Sequence, residues 1–263
     1  MTALLSDGGA NARAQIAARG FAWLPRATWS VGPGLEAGLQ AGLEALRSDY
    51  DALEPDRYLA GGATFRRRRY GSCLWTPADD TLTQRPDTPY FQPADQNAYA
   101  GGVARQFGPV RAVTVHNPFV RSLVNACFAC LPIPEAWRRD SWEVHMHQIR
   151  IIATAAAPGL PTPEGIHQDG TDFHTLHLLR RDAVDGAQTT IYSLDRAPLF
   201  DCTMREVLDT LILEDPRIMH AVTPLVVAEG AATGCRDIFG IDYYHRPGAG
   251  VRVPPIEHND GRR

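Results

Sequence analysis

The sequence predicts a mainly β domain with helices packed on it from the N-terminal side. Three observations predict it. The 263 residues include 23 Gly and 20 Pro, which favours many turns and short strands. From Trp142 onward, short apolar runs alternate with turn residues. Clear helical periodicity is confined to two earlier stretches.

Taken in order, Leu35, Leu39, Leu43, Leu46, Tyr50 and Leu53 recur at helical spacing, after Pro33-Gly34 and before Pro55. They predict an amphipathic helix with one buried stripe. Residues 56–115, rich in Gly, Pro and Thr, read as strands and loops. Residues 117–131 (NPFVRSLVNACFACL) predict a second helix, stopped by Pro132 and Pro134. Next comes a strand on which Trp142, Val144, Met146, Gln148, Arg150 and Ile152 share one face. Glu143, His145, His147, Ile149 and Ile151 share the other. HTLHLL, QTTIYSL, PLVVAEG and RDIFGIDYY follow as short strands. Thr203 and Glu206 match a capping box and predict a short helix over TMREVLDTLIL. No repeat or linker interrupts the chain. We therefore expect one domain over residues 1–263, with a helical flank over about 1–60 and an antiparallel β core over about 61–250.

Composition excludes several chemistries. All 26 Lys/Arg positions are Arg. Without a lysine amine there is no Schiff-base enzyme, no P-loop GK[ST] and no kinase strand lysine. The formal charge of −4 gives no general affinity for nucleic acid. HExxH and GxSxG are absent. The five cysteines are scattered except for Cys127 and Cys130 (CFAC), which lie in an apolar helical stretch and read as buried thiols. The first twenty residues lack a basic start and an apolar signal core, and no apolar run reaches the length of a membrane span. A soluble, reduced, cytoplasmic protein is the expectation, with no membrane or nucleic-acid partner.

The chemistry centres on His167-Gln168-Asp169 and on His220, which follows 51 residues after the Asp. In an extended chain, residues i and i+2 point the same way, so His167 and Asp169 reach one metal ion. Two imidazoles and one carboxylate occupy one face of an octahedral Fe(II) and leave positions open for a bidentate cosubstrate and O2. By spacing alone, a chain with nine His also meets this pattern by chance. The surroundings favour the metal: Pro163-Glu164-Gly165-Ile166 and Gly170 bracket the motif in a constrained loop. Arg236 lies sixteen residues after His220, and a guanidinium fork suits the distal carboxylate of a dicarboxylate cosubstrate.

The segments HQIRI, PTPEGIHQDGTDF, TTIYS, DPRIMHAVTP and GCRDIFGIDY, in that order over residues 140–245, resemble the bacterial 2OG-Fe dioxygenase family, which includes enzymes that hydroxylate free L-isoleucine and related amino acids. FRRRRYG near residue 65 is a fainter match. The resemblance implies a double-stranded β-helix (jelly-roll, cupin-like) core. It implies Fe(II) on His167, Asp169 and His220, and 2-oxoglutarate anchored by Arg236. It also implies O2-dependent hydroxylation of an unactivated C–H with release of succinate and CO2. Related halogenases carry a small residue where this chain keeps Asp169, so hydroxylation is favoured. Gly186-Ala187 departs from the paired Gly of relatives.

Other residues stay open between roles. His145 and His147 form an H-x-H that reads as hydrogen-bonded strand histidines, and His174 and His177 read as supporting contacts or packing. Gln148 and Arg150 share a face with apolar residues. If that face lines the interior, Gln148 joins Arg236 on the cosubstrate and Arg150 meets substrate; a structural hydrogen-bond network is the alternative. One or two arginines of the run Arg66–Arg69, Arg69 foremost, are candidates for a substrate carboxylate, against a solvated strand face paired to acids. Phe173 completes the expected substrate contacts. The expected partner is a small molecule, a free amino acid first. A carrier-bound or peptidyl substrate, or a metal- and 2-oxoglutarate-binding jelly roll without turnover, are the other readings. Oligomeric state is open.

Overall fold

A computed structural model of the chain describes residues 4–5, 8–30, 37–94, 99 and 101–246. Helix α1 (Gly8–Arg19) leads into β1 (Phe21–Leu24), and α2 spans Ala37–Asp49. There follow β2 (Arg66–Thr76), β3 (Thr81–Gln84), the two-residue β4 (Gly108–Pro109), α3 (Ala112–Val115) and α4 (Pro118–Cys130). The remainder is β: β5 (Trp142–Thr154), β6 (Phe173–Asp182), β7 (Val184–Gly186), β8 (Thr189–Tyr192), β9 (Pro198–Cys202), β10 (Thr210–Leu213), β11 (Met219–Val222), β12 (Leu225–Val227) and β13 (Thr233–His245).

The strands form one large sheet, ordered β1-β10-β6-β13-β5-β2-β3 with β4 beside β2, and two small sheets, β11-β8-β9 and β12-β7. Every pairing is antiparallel except β2 with β4. The small sheets cover one face of the large sheet and give the two-layered jelly roll. Ile191 of β8 packs against Leu178, Leu211 and Ile238 of the large sheet, and Leu225 of β12 packs near Ile151 and Ala153. The helices cover the opposite face. Trp142, Val144, Met146, Phe239, Ile241 and Tyr243 form one core with Leu39, Leu43 and Leu46 of α2 and Phe119, Leu123 and Cys127 of α4. Each such side chain contributes roughly 1.5–3 kcal/mol on burial.

Local chemistry sets the helix ends. Asn117 caps α4 by accepting the Phe119 N–H at 2.9 Å, and Pro118 occupies the first turn where no amide is needed. Gly42 lets α2 approach α4 closely. A Cβ there would lie 2.6 Å from Asn117 Oδ1 and 2.9 Å from Phe119 Cβ, and Asn117 Nδ2 donates to the Gly42 carbonyl at 2.8 Å.

Three sequence expectations change. Residues 203–213 are not helical: Leu208 turns with φ 73°, and Thr210–Leu213 is a fully buried strand between β1 and β6. The Asp209 carboxylate, not the capping box, accepts the Arg205 and Glu206 amides, at 2.8 and 3.0 Å. Four apolar residues in a row suit a strand covered on both faces, and tertiary context overrides the local helix signal. The N-terminal flank contributes a strand to the large sheet, β1, and carries a helix, α1, that periodicity did not single out. Strands β5 and β13 are long, 13 residues each, despite the many turns. Leu35, Pro33 and Gly34 lie outside the described residues. Leu39, Leu43 and Leu46 are buried along α2 as their spacing predicts.

Candidate active site

Strand parity builds the site. On β13, Arg236, Ile238, Gly240 and Asp242 face the gap between the layers; on β6, His174 and Leu176 do; on β5, His147, Ile149 and Ile151. On β2, Arg66 and Arg68 complete that wall, and Tyr90, Gln92 and Arg105 reach in from the loop after β3. His167 and Asp169 come from the loop before β6, and His220 from β11.

The loop is stitched in place. His167 and His220 form an isolated antiparallel bridge, His167 N–H donating to the His220 carbonyl at 3.1 Å and His220 N–H returning at 2.9 Å. This places the two imidazoles side by side, ring centroids 4.4 Å apart. The His167 Nδ1–H donates to the Gly165 carbonyl at 2.9 Å, which turns its Nε2 toward Asp169, 3.7 Å from Oδ1. His220 Nε2 lies 3.7 Å from Asp169 Oδ2. The donor atoms of His167, Asp169 and His220 all lie within 4.8 Å of one another. Asp169 Oδ2 is buried without a hydrogen-bond partner among the described residues. Two imidazole nitrogens and an unsatisfied carboxylate oxygen converging from one side are a donor set that fits a divalent iron and leaves its opposite side open.

Asp215 holds the loop from behind. Its carboxylate accepts the Asp169, Gly170 and Thr171 amides at 2.9, 2.7 and 3.1 Å. Gln168 donates to the Asp215 carbonyl at 2.6 Å. A second chain runs beside the triad. Arg68 donates to His147 Nδ1 at 2.9 Å, which fixes the proton of His147 on Nε2; that N–H donates to Asp242 at 2.9 Å. The other Asp242 oxygen accepts from His174 Nδ1, leaving His174 Nε2 3.8 Å from Asp169 Oδ2. Burial opposes ionisation of Asp242, but the two imidazoles outweigh it and hold the carboxyl well below its usual range. Burial pushes His220 down to about 3, with His167 adding repulsion. Burial also opposes the charged form of His167, but Asp169 and Glu164 hold it up at about 9.

Arg236 is 4% exposed. Burial, with Arg181 adding repulsion, lowers its pKa to about 10, so it stays a cation at neutral pH. Its one hydrogen-bond partner among the described residues is the Met204 sulfur at 3.5 Å, and its Nε has none. A buried guanidinium with no acid at ion-pair distance among the described residues fits a carboxylate ligand such as the far end of 2-oxoglutarate.

Four expected site residues are not in this cavity. Gln148 and Arg150 lie on the helix-facing side of β5: Gln148 donates to Asp49 at 2.9 Å, and Arg150 grips both oxygens of Asp237 at 2.7 Å. Arg69, opposite Gln148 in the β2–β5 register, binds Asp49 at 3.1 Å and Glu54 at 3.0 Å. Phe173 is buried in the core shared with the helices, its β6 neighbour His174 facing the cavity instead. These residues tie helix to sheet. The sequence reading did not place Arg105, Asp242 or Asp215; it named the Arg66–Arg69 run without singling out Arg68, and it read His147 as a hydrogen-bonded strand histidine, which its bonds to Arg68 and Asp242 fit. The odd-numbered face of β5 held the clue for His147. Asp242 sits six residues after Arg236 on one strand, a same-face spacing.

Two His and one Asp converging in one cavity of a jelly roll, with a buried arginine in its lining, match the donor set of non-haem iron oxygenases. The family model for 2OG-Fe dioxygenase matches residues 47–242, and the chain belongs to that family. It is accordingly an Fe(II)- and 2-oxoglutarate-dependent dioxygenase that uses O2. The chain is 26% identical over 204 residues to an L-isoleucine-4-hydroxylase of Bacillus thuringiensis, covering 75% of this chain and 81% of that one. It is 26% identical over 203 residues to a 3(1)-hydroxy-L-isoleucine 4-dioxygenase of Pantoea ananatis, covering 76% and 80%. Among solved structures, a BsmA homologue from Methylobium petroleophilum superposes with a TM-score of 0.77 at 27% identity, covering 94% of this chain and 96% of that one. No helix among the described residues is long and apolar enough to cross a membrane.

Proposed function

We propose that His167, Asp169 and His220 hold Fe(II), that Arg236 holds the distal carboxylate of 2-oxoglutarate, and that the protein hydroxylates an unactivated C–H of a free amino acid or a similar small molecule. One observation carries the reading: the three donor groups converge within 4.8 Å in the same cavity as a buried guanidinium that has no acidic partner among the described residues. Fe(II) with 2-oxoglutarate supplies the O2 activation, the cosubstrate leaving as succinate and CO2. The protein's residues orient and exclude. Asp215 fixes the Asp169 loop, the His167–His220 bridge sets the two rings, and Ile149, Ile151, Leu176, Val222 and Ile238 line the cavity with hydrocarbon. The names of the two curated relatives support an amino-acid substrate. We read the whole chain as one catalytic domain; its five free cysteines fit a reducing, cytoplasmic setting.

The test is aerobic incubation with Fe(II), 2-oxoglutarate and each proteinogenic amino acid, reading succinate and product mass. Succinate formed only with one amino acid, together with a gain of one oxygen, is the expected result. Tight Fe(II) and 2-oxoglutarate binding with no turnover on any free amino acid would move the substrate to a carrier-bound or peptidyl one.

A further inference from the structure

The cavity holds more buried positive charge than the metal site and 2-oxoglutarate use. Arg68 is 6% exposed and Arg105 2% exposed, and both line the cavity on the β2 side. Neither meets a carboxylate at ion-pair distance among the described residues; Arg68 donates to His147 and Arg105 to Gln92 Oε1 at 2.8 Å. The Nε of each is buried and has no hydrogen-bond partner among the described residues. The nearby Arg66 differs, because its Nε is taken by Asp56 at 2.7 Å.

Both guanidiniums are positioned by aromatic rings rather than by acids. Arg68 lies 4.1 Å from the Phe107 ring centre and 5.2 Å from that of Tyr90. Arg105 lies 4.8 Å from the Tyr90 ring and 5.9 Å from Phe107. Stacking fixes the plane of a guanidinium while leaving its edge donors unused. Two such buried edges facing one cavity suit an anion that can accept from both. The position argues against 2-oxoglutarate as that anion. Arg236 is on β13 and Arg68 on β2, with β5 between them, so their strands stand about 10 Å apart.

We propose that Arg68 and Arg105 form the subsite for a free carboxylate of the substrate, and that this pair selects free acids against carrier-bound or peptidyl forms, in which that carboxylate is consumed. The inference rests on the reading of the triad and Arg236 given above. Glu164, which lines the same cavity, lies 3.4 Å from His167 Nε2 on the triad side and is no partner at ion-pair distance for either guanidinium among the described residues.

The test compares each proteinogenic amino acid with its primary amide on the wild-type holoenzyme, so that no variant need fold. Turnover of a free acid, with its amide at least about 10- to 100-fold poorer in kcat/KM, is expected, the range following from loss of charged hydrogen bonds. R68Q and R105Q should raise the substrate KM by a similar factor relative to the KM for 2-oxoglutarate. An amide turned over as well as its acid, or an unchanged KM ratio in both variants, overturns the subsite and leaves the proposed function standing. If no amino acid is turned over, the free-amino-acid part of the proposed function falls by itself. Calorimetric titration of the same acids into protein loaded with Mn(II) and 2-oxoglutarate then decides the subsite. Binding of a free acid that is lost in R68Q and R105Q supports it; no binding, or binding the variants retain, overturns it.

Discussion

The Asp215 carboxylate accepts the backbone N–H of Asp169 at 2.9 Å, and its other oxygen accepts the next two amides of the chain. One carboxylate thus fixes the loop that carries two of the three candidate metal ligands, without touching the metal position. Outer contacts of this kind are worth about 10–100-fold in metal affinity. D215A is expected to weaken Mn(II) binding by that order while circular dichroism stays that of the wild type. Unchanged affinity would show that the loop is set by the His167–His220 bridge alone.

Metal binding should stabilise the fold by mass action. At 100-fold excess over Kd the gain is about 2.7 kcal/mol, which corresponds to a rise of about 5–10 °C in Tm for a chain of this size. H167A and H220A are each expected to abolish that rise in differential scanning fluorimetry with Mn(II).

Arg236 is the one candidate anchor for 2-oxoglutarate on β13. R236Q should raise the KM for 2-oxoglutarate about 10- to 100-fold, as loss of a charge-assisted fork does. R236K keeps the charge without the planar fork, and should fall between. The measurement is succinate release against 2-oxoglutarate concentration.

Asp49 separates structural from binding arginines. Its buried carboxylate takes Arg69, Arg111, Thr114 and Gln148 together. D49A leaves these donors without their acid and should cost about 3–5 kcal/mol by urea denaturation. R69Q and Q148A should lower stability while the substrate and 2-oxoglutarate KM values stay within about twofold. A selective rise in either KM would return these residues to the site.

His177 supplies a pH signature. It is buried between Thr175 Oγ1 at 3.0 Å and Thr210 Oγ1 at 2.9 Å, and burial, with His174 adding repulsion, pushes it down to about 3. Unfolded, it takes a proton near 6.5. Between those values the unfolded chain binds more protons than the folded one, so stability falls as pH falls, by up to about 1.4 kcal/mol per unit. H177Q should remove that share of the slope between pH 6.5 and 3. Parallel stability–pH curves for the two proteins would sink the assignment.

The sequence by itself determined the local features. Helix α4 was legible from its apolar stretch and its stop at Pro132 and Pro134, and the H-x-D pair from same-face spacing. Both faces of β5 were legible too, because side-chain parity is a property of the strand alone. Which face turns to the cavity was not. The helices bury one side of β5 and the jelly-roll interior the other, and Gln148 at 0% exposure is as buried as any cavity residue. Only the packing of the helical layer on Trp142, Val144 and Met146 decided that His147 faces the ligands while Gln148 and Arg150 hold the scaffold. Parity reverses with a single step along a strand, so choosing the face moved the arginine assignment from Arg69 to Arg68. The joining of His220 to His167, the reach of Asp215 and the approach of Arg105 all arise between segments dozens of residues apart, and such contacts are set by tertiary packing.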